Sequence, residues 1–227
     1  MSAQKIFLLY GASGELGAAA VDYFLTQNYD YHYFISRKNP EINGKIKNYR
    51  IISASDLSEE ENVVKTFSEV GRIENGEYHL FSTIGGYIGG KTVAETEYSD
   101  FIKMLDLNLI SAFLIAKYFA QLLKSTLGGS ICFTSALSSM KPEANKAAYN
   151  LSKNGLNYLV ESLAIEGKEM NFRANAIAPF AIDTISNREW IDDSSKLVNP
   201  TDICITAKSL FDDKSVTGKI VPLPASL

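Results

Sequence analysis

Apolar residues along this chain fall into short unbroken runs, separated by stretches in which they recur at helical spacing. The runs are Lys5 to Tyr10, Asp30 to Ile35, Tyr49 to Ser53, Tyr78 to Thr83, Gly129 to Thr134, Ala174 to Ile177 and Lys219 to Leu223. Several are apolar at successive positions instead of alternating, as in strands covered on both faces. Helical spacing predicts helices near 15–27, 58–71, 98–126, 150–169 and 201–212. Strands alternating with helices predict an α/β chain with a doubly wound parallel sheet of about seven strands and helices on both faces. No repeat, low-complexity tract or linker interrupts the pattern, so residues 1–227 read as one domain. The least regular stretch is Asp183 to Pro200, where the single tryptophan, Trp190, stands among polar residues.

The helix over 98–126 is apolar nearly all round. Leu107, Ile110, Leu114, Phe119 and Leu122 form one side, and Leu109, Phe113, Ala116, Ala120 and Leu123 much of another. A surface helix needs one apolar stripe. The second fits either a partner subunit or burial within the chain. Asn108 interrupts this apolar stretch. A buried amide must find partners, either as a structural hydrogen-bonding group or as the holder of a water in a proton path.

Composition adds exclusions. With 46% hydrophobic residues, 21% charged residues and a formal charge of −4, the chain has an ordinary globular make-up. Its Lys and Arg are scattered, which argues against a nucleic-acid surface. Cys132 and Cys204 lie far apart in apolar surroundings and read as buried free thiols. The apolar run before residue 11 is too short for a signal peptide or a membrane span, so a cytoplasmic protein is expected.

The candidate chemistry begins at Gly11-Ala12-Ser13-Gly14-Glu15-Leu16-Gly17, between the first strand and the first helix. Strand, glycine turn and helix in that order make a phosphate site, because the backbone turns tightly and the helix N-terminus offers free N–H groups. The G-x-x-G-x-x-G spacing is by itself a weak signal. The second strand ends Ser36-Arg37-Lys38, where an acid would hold a ribose 2′-hydroxyl and cations favour a 2′-phosphate. These residues read as a preference for NADPH over NADH. Asp56-Leu57, after the third strand, suit either an adenine contact or a helix cap. Ile84, Gly85 and Gly86 open a glycine-rich loop, Gly85-Gly86-Tyr87-Ile88-Gly89-Gly90, after the fourth. Ser135 follows the fifth strand, and Tyr149 and Lys153 lie four apart on one face of a helix. A nearby ammonium favours a phenolate, and such a tyrosine can give a proton to a carbonyl oxygen or take one from an alcohol.

Taken together these residues resemble the short-chain dehydrogenase/reductase family. Gly11 to Gly17 are similar to its nucleotide turn, with Tyr10 where Thr is usual. Asp56, Asn108, Ser135, Tyr149 and Lys153 follow its order. Arg173 to Pro179, Asp183-Thr184 and the stretch from Pro200 to Lys219 are similar to its later segments. The resemblance implies a single-domain Rossmann fold and an NAD(P)-dependent oxidoreductase acting on a small carbonyl, imine or alcohol. It implies Tyr149 as general acid/base, Lys153 as the group that lowers its pKa and holds the nicotinamide ribose, Ser135 as the orienter of the substrate oxygen, and Asn108 as the support of a proton relay. It adds cofactor contacts at Pro179, Ile182 and Thr184, implies no metal, and suggests a homodimer or homotetramer built on the long helix. Three departures stand out. Thr83-Ile84-Gly85-Gly86 replaces Asn-Asn-Ala-Gly, and Phe180 follows Pro179 where Gly is usual. Ala136 stands thirteen residues before Tyr149, where the family's serine is common, with Ser138 as a weaker substitute than Ser135. The glycine-rich loop and the pairing of Asp183-Thr184 with Asn187-Arg188 resemble the dihydropteridine reductase branch, which generally prefers NADH. A regulator that binds NADPH without turnover is the competing expectation.

Overall fold

The computed structural model describes residues 3–42 and 48–224. In chain order it forms β1 (Gln4–Tyr10), α1 (Glu15–Leu25), β2 (Tyr31–Ser36), β3 (Tyr49–Ser53), α2 (Glu60–Ser68), β4 (Gly76–Ser82), α3 (Tyr98–Leu105), α4 (Ser111–Leu123), β5 (Gly129–Thr134), α5 (Ala147–Glu166), β6 (Phe172–Pro179), α6 (Ile185–Arg188), α7 (Pro200–Asp212) and β7 (Ile220–Leu223). The seven strands pair in parallel in the order β3-β2-β1-β4-β5-β6-β7. The order reverses between β1 and β4, whose ends align with Tyr10 opposite Ser82. At such a point the two outgoing chains diverge and leave a crevice beyond the carboxyl ends of the strands.

The sheet is apolar on both faces, as the unbroken runs require. Ile6, Leu8 and Tyr10 of β1 face a core completed by α2, α4 and α5, while Phe7 and Leu9 face a second core completed by α1 and α7. Phe7 and Phe24 stack there with ring centroids 4.1 Å apart. Cys132 and Cys204 are buried free thiols, and burial pushes Cys204 up to about 12. No helix among the described residues is long and apolar enough to cross a membrane.

The helices depart from the sequence reading at two functional places. The stretch over 98–126 is not one helix: a π-helical turn, Asp106–Ile110, separates α3 from α4. A π turn takes an extra residue and changes the phase of the faces on either side. Accordingly the second apolar stripe is only part exposed. Ala116 and Leu123 are buried within the chain, while Phe113 is 53% exposed. The helix expected from 150 begins at Ala147, which places Tyr149 inside its first turn.

Candidate active site

The glycine turn is shaped by contacts a side chain would obstruct. Gly11 has φ +89, and its N–H donates to the Ile35 carbonyl at 2.8 Å. A Cβ there would stand 2.5 Å from Thr83 Oγ1, and one on Gly17 would run into the Gly11 carbonyl oxygen. Thr83 Oγ1 lies 3.1 Å from the Tyr10 carbonyl and 3.2 Å from that of Gly11, so the end of β4 holds the turn in place. Tyr10, where the family has Thr, is buried beneath, with its hydroxyl 2.8 Å from Thr66 Oγ1. Gly14 caps α1 with no side-chain hydrogen bond. Open first-turn N–H groups and the helix dipole suit a phosphate there. Ser13, Gly14 and Glu15 are exposed and Leu16 is packed inward. Glu15 Oε2 accepts from the Ile185 N–H at 2.6 Å, tying the turn to the segment after β6.

At the end of β2, Arg37 and Lys38 are exposed, but Ser36 is buried and its hydroxyl donates to the Lys38 carbonyl at 2.6 Å. Ser36 therefore shapes this turn, leaving the two cations as the groups free to meet a ligand. Asp56 Oδ1 accepts from Ser58 Oγ at 2.7 Å and Ser58 N–H at 2.9 Å, closing a local turn ahead of α2. These bonds hold its carboxyl below the usual range, with a smaller contribution from Arg37. Leu57 is partly buried beside it.

Beyond β4 the backbone passes close to the buried polar groups. A Cβ on Gly85 would stand 2.8 Å from Lys153 Nζ and 3.0 Å from Asn108 Oδ1, and one on Gly86 would be 2.5 Å from Leu107 Cδ2. Asn108, on the π turn, accepts from the Gly86 N–H at 3.0 Å and donates through Nδ2 to the Gly86 carbonyl at 3.0 Å and Ser152 Oγ at 3.1 Å. Both amide hydrogens and the oxygen of Asn108 are thus bonded to protein.

Tyr149 and Lys153 share one face of α5. Lys153 is buried, and Nζ donates to the Thr134 carbonyl at 2.7 Å. Burial pushes its ammonium down to about 8. The Tyr149 ring meets Tyr87 edge to face, with centroids 4.9 Å apart. Burial first, and then Tyr87, raise the Tyr149 hydroxyl above its ordinary value. The sequence suggested a hydroxyl lowered by Lys153; in the chain alone burial sets the direction instead.

Ser135 also differs from expectation. It is 3% exposed, and its hydroxyl donates to Asn157 Oδ1 at 2.5 Å, so it is turned into the protein and not offered to a substrate oxygen. Ala136 is buried beside it, and Ser138 Oγ donates to Asn150 Oδ1 at 2.9 Å. Pro179 ends β6. Ile182 bridges to Val198, and its carbonyl accepts from Asn187 Nδ2 at 2.8 Å. Thr184 caps α6 through the Asn187 N–H, and Asp183 pairs with Arg188 through both carboxylate oxygens. Ser152 and Asn157 are the supporting groups that sequence reading did not single out. No motif marks them, and only the fold brings them to the site.

The family profile described as enoyl-(acyl carrier protein) reductase matches residues 34–221. The chain belongs to the short-chain dehydrogenase/reductase family. It is an NAD(P)-dependent oxidoreductase of that type. A dihydropteridine reductase of Dictyostelium discoideum is 27% identical over 226 residues, covering 96% of this chain and 93% of that protein. A tropinone reductase homologue of Arabidopsis thaliana is 31% identical over 144 residues, 63% of this chain and 54% of that protein. Among solved structures, ElxO with NADP bound superposes with a TM-score of 0.83 at 22% identity, covering 96% of both chains. A short-chain dehydrogenase family protein of Francisella tularensis gives 0.78 at 24% identity, covering 98% of this chain and 97% of that one.

Proposed function

We propose that this short-chain dehydrogenase/reductase uses NADP(H) to reduce a small carbonyl or imine, or to oxidise the matching alcohol, with Tyr149 as general acid/base. The observation that carries the reading is the pair on α5. A buried Lys153, whose Nζ faces the cleared backbone of Gly85, stands one turn from Tyr149 at the carboxyl ends of the strands. A lysine is costly to bury and is seldom retained for packing alone.

The glycine clearances fit a dinucleotide laid along the turn and the loop after β4. Gly11, Gly14 and Gly17, with the N–H groups of α1, would receive the pyrophosphate. Arg37 and Lys38 would hold a 2′-phosphate, and Asp56 and Leu57 would meet the adenine. Ile84, Gly85 and Gly86 would line the path to the ribose hydroxyls that Lys153 holds. Pro179, Ile182 and Thr184 would border the nicotinamide end. The bound cofactor supplies the hydride. Tyr149, protonated at neutral pH as an ordinary phenol is, gives its proton to the substrate oxygen or nitrogen. In the reverse direction it needs the positive charge of Lys153 to hold the phenolate. Asn108 holds the loop and α5 in register, and Tyr87, Phe180 and Trp190, all exposed, offer flat apolar surface at the rim. Phe113 of α4 with Leu151, Tyr158 and Ile165 of α5, all more than half exposed, would pair with a second copy in a homodimer or homotetramer.

A second reading, a dihydropteridine reductase-like enzyme, is favoured by the glycine-rich loop after β4 and by near full-length similarity to the Dictyostelium protein. Calorimetric titration with NADPH and NADH, followed by carbonyl, imine and quinonoid dihydropterin panels, tests both. Turnover abolished by Tyr149→Phe is the expected result. Cofactor binding without turnover of any panel would make the protein a regulator instead.

A further inference from the structure

The face of α5 beside Tyr149 and Lys153 carries three asparagines, Asn150, Asn154 and Asn157, at helical spacing. Asparagine is a poor helix former, and Asn157, the buried one of the three, needs its amide matched. Each grips the segment after β5. Asn150 accepts from Ser138, and Asn154 Nδ2 donates to the Ser139 carbonyl at 3.2 Å. Asn157, buried, accepts from Ser135 Oγ at 2.5 Å and donates through Nδ2 to Ser139 Oγ at 3.0 Å. Ser139 Oγ in turn donates to the Ala136 carbonyl at 2.7 Å.

The peptide joining Thr134 to Ser135 is the one that matters. Its N–H donates to the Ile177 carbonyl of β6 at 2.7 Å, and its carbonyl receives Lys153 Nζ at 2.7 Å. Asn157 holds the side chain of the residue that begins just past that carbonyl. We propose that Asn157 is a positioning residue: through Ser135 and Ser139 it fixes the Thr134 carbonyl and thereby the place of the Lys153 ammonium beside Tyr149. This rests on the reading of Tyr149 and Lys153 as the proton-transferring pair. It also gives Ser135 a role other than contact with the substrate. If the carbonyl shifts, the ammonium loses its best-placed acceptor while remaining buried, and its charged form becomes harder to keep.

The test follows Lys153 itself. The full chain, labelled with carbon-13 at lysine Cε, is titrated by NMR, and the Lys153 signal is assigned by its loss in Lys153→Arg. Asn157→Ala should lower the Lys153 midpoint by about half a pH unit or more, Ser135→Ala should lower it similarly, and the double variant should go no further. The alkaline limb of the pH profile of kcat/KM in the reductive direction, where Lys153 loses its charge, should move with it. A folded Asn157→Ala protein with an unmoved midpoint, or two shifts that add, overturns the proposal. If Asn157→Ala does not fold, Ser135→Ala decides alone, and an unmoved midpoint there is equally fatal. Absence of turnover in the unaltered protein would remove the functional reading, yet the Lys153 titration would still decide the role of Asn157.

Discussion

Both ends of the sheet bury titratable groups, but only at the carboxyl ends does glycine backbone run hard against the charge. At the carboxyl ends, Lys153 faces Gly85, and the nearby backbone is stripped of side chains. Toward the amino ends, His79 of β4 is buried with Nδ1 3.0 Å from the Tyr29 hydroxyl and its ring stacked on Phe211 at 5.0 Å. Glu77 lies 3.8 Å from His79 and 3.0 Å from Lys214, and these partners hold its carboxyl down to about 2. Arg173 spends its guanidinium on the carbonyls of Leu210, Phe211, Asp213 and Val216, which close the end of α7. Perturbed titration is therefore common to both ends. What distinguishes the site is the glycine clearance around the charge. The other cluster is surrounded by rings and carbonyls and serves the fold.

Tyr149→Phe should have the largest effect at the carboxyl ends. It should cost turnover on the order of 10²–10⁴-fold while NADPH affinity stays close to wild type. Steady-state kinetics beside calorimetry would show it, and loss of both together would point to misfolding. Next comes filling the clearance. Gly85→Ala places a methyl 2.8 Å from Lys153 Nζ, and forced repacking of this kind costs about 1–3 kcal/mol, so NADPH affinity should fall tenfold or more. An equivalent fall should not follow from His79→Phe, which alters the amino end alone.

Arg37→Ala should weaken NADPH about tenfold, the size of one charge-assisted phosphate contact, and leave NADH almost untouched. Equal losses for both would show that Arg37 does not read the 2′-phosphate.

Stability should also depend on pH. Lys153 titrates lower in the folded chain, at about 8, than in the unfolded one, near ~10.4. The unfolded chain binds more protons within that window, so stability should rise as pH climbs through it and stay level below it. His79 is also lowered by burial, despite Glu77. Its contribution has the same sign in a different window: stability is lost as pH falls below ~6.5, by at most about 1.4 kcal/mol per pH unit. Unfolding curves of wild type, Lys153→Met and His79→Phe across both windows separate them, since each variant should flatten only its own slope.

The strands were legible because a parallel sheet covered on both faces writes itself as apolar runs, and β3 and β5 match their predicted bounds. The glycine turn and the Tyr149–Lys153 pair were legible because each is local in sequence. The π turn was not, since a run apolar on all sides gives no phase to follow through 106–110. Nor was the inward turn of Ser135, which depends on Asn157, twenty-two residues away and unmarked by any motif. The raised hydroxyl of Tyr149 was not legible either, because desolvation depends on what the whole fold places around the ring.

The π turn also constrains how this chain can vary. Because Asp106–Ile110 takes one residue more than an α-helix would, α3 and α4 are offset as two reading frames are by an insertion. Deleting Leu107 would let the helix close into regular α form, so local structure would survive. Four α residues turn through nearly the same angle as five π residues, so α3 and α4 would keep their faces while the residues between them are rewound. Asn108 would swing away from Gly86 and Ser152, and the loop after β4 would lose its clasp. Lineages of this chain are thus expected to tolerate substitution at Leu107 and Leu109 far better than any change in the number of residues between Met104 and Ser111.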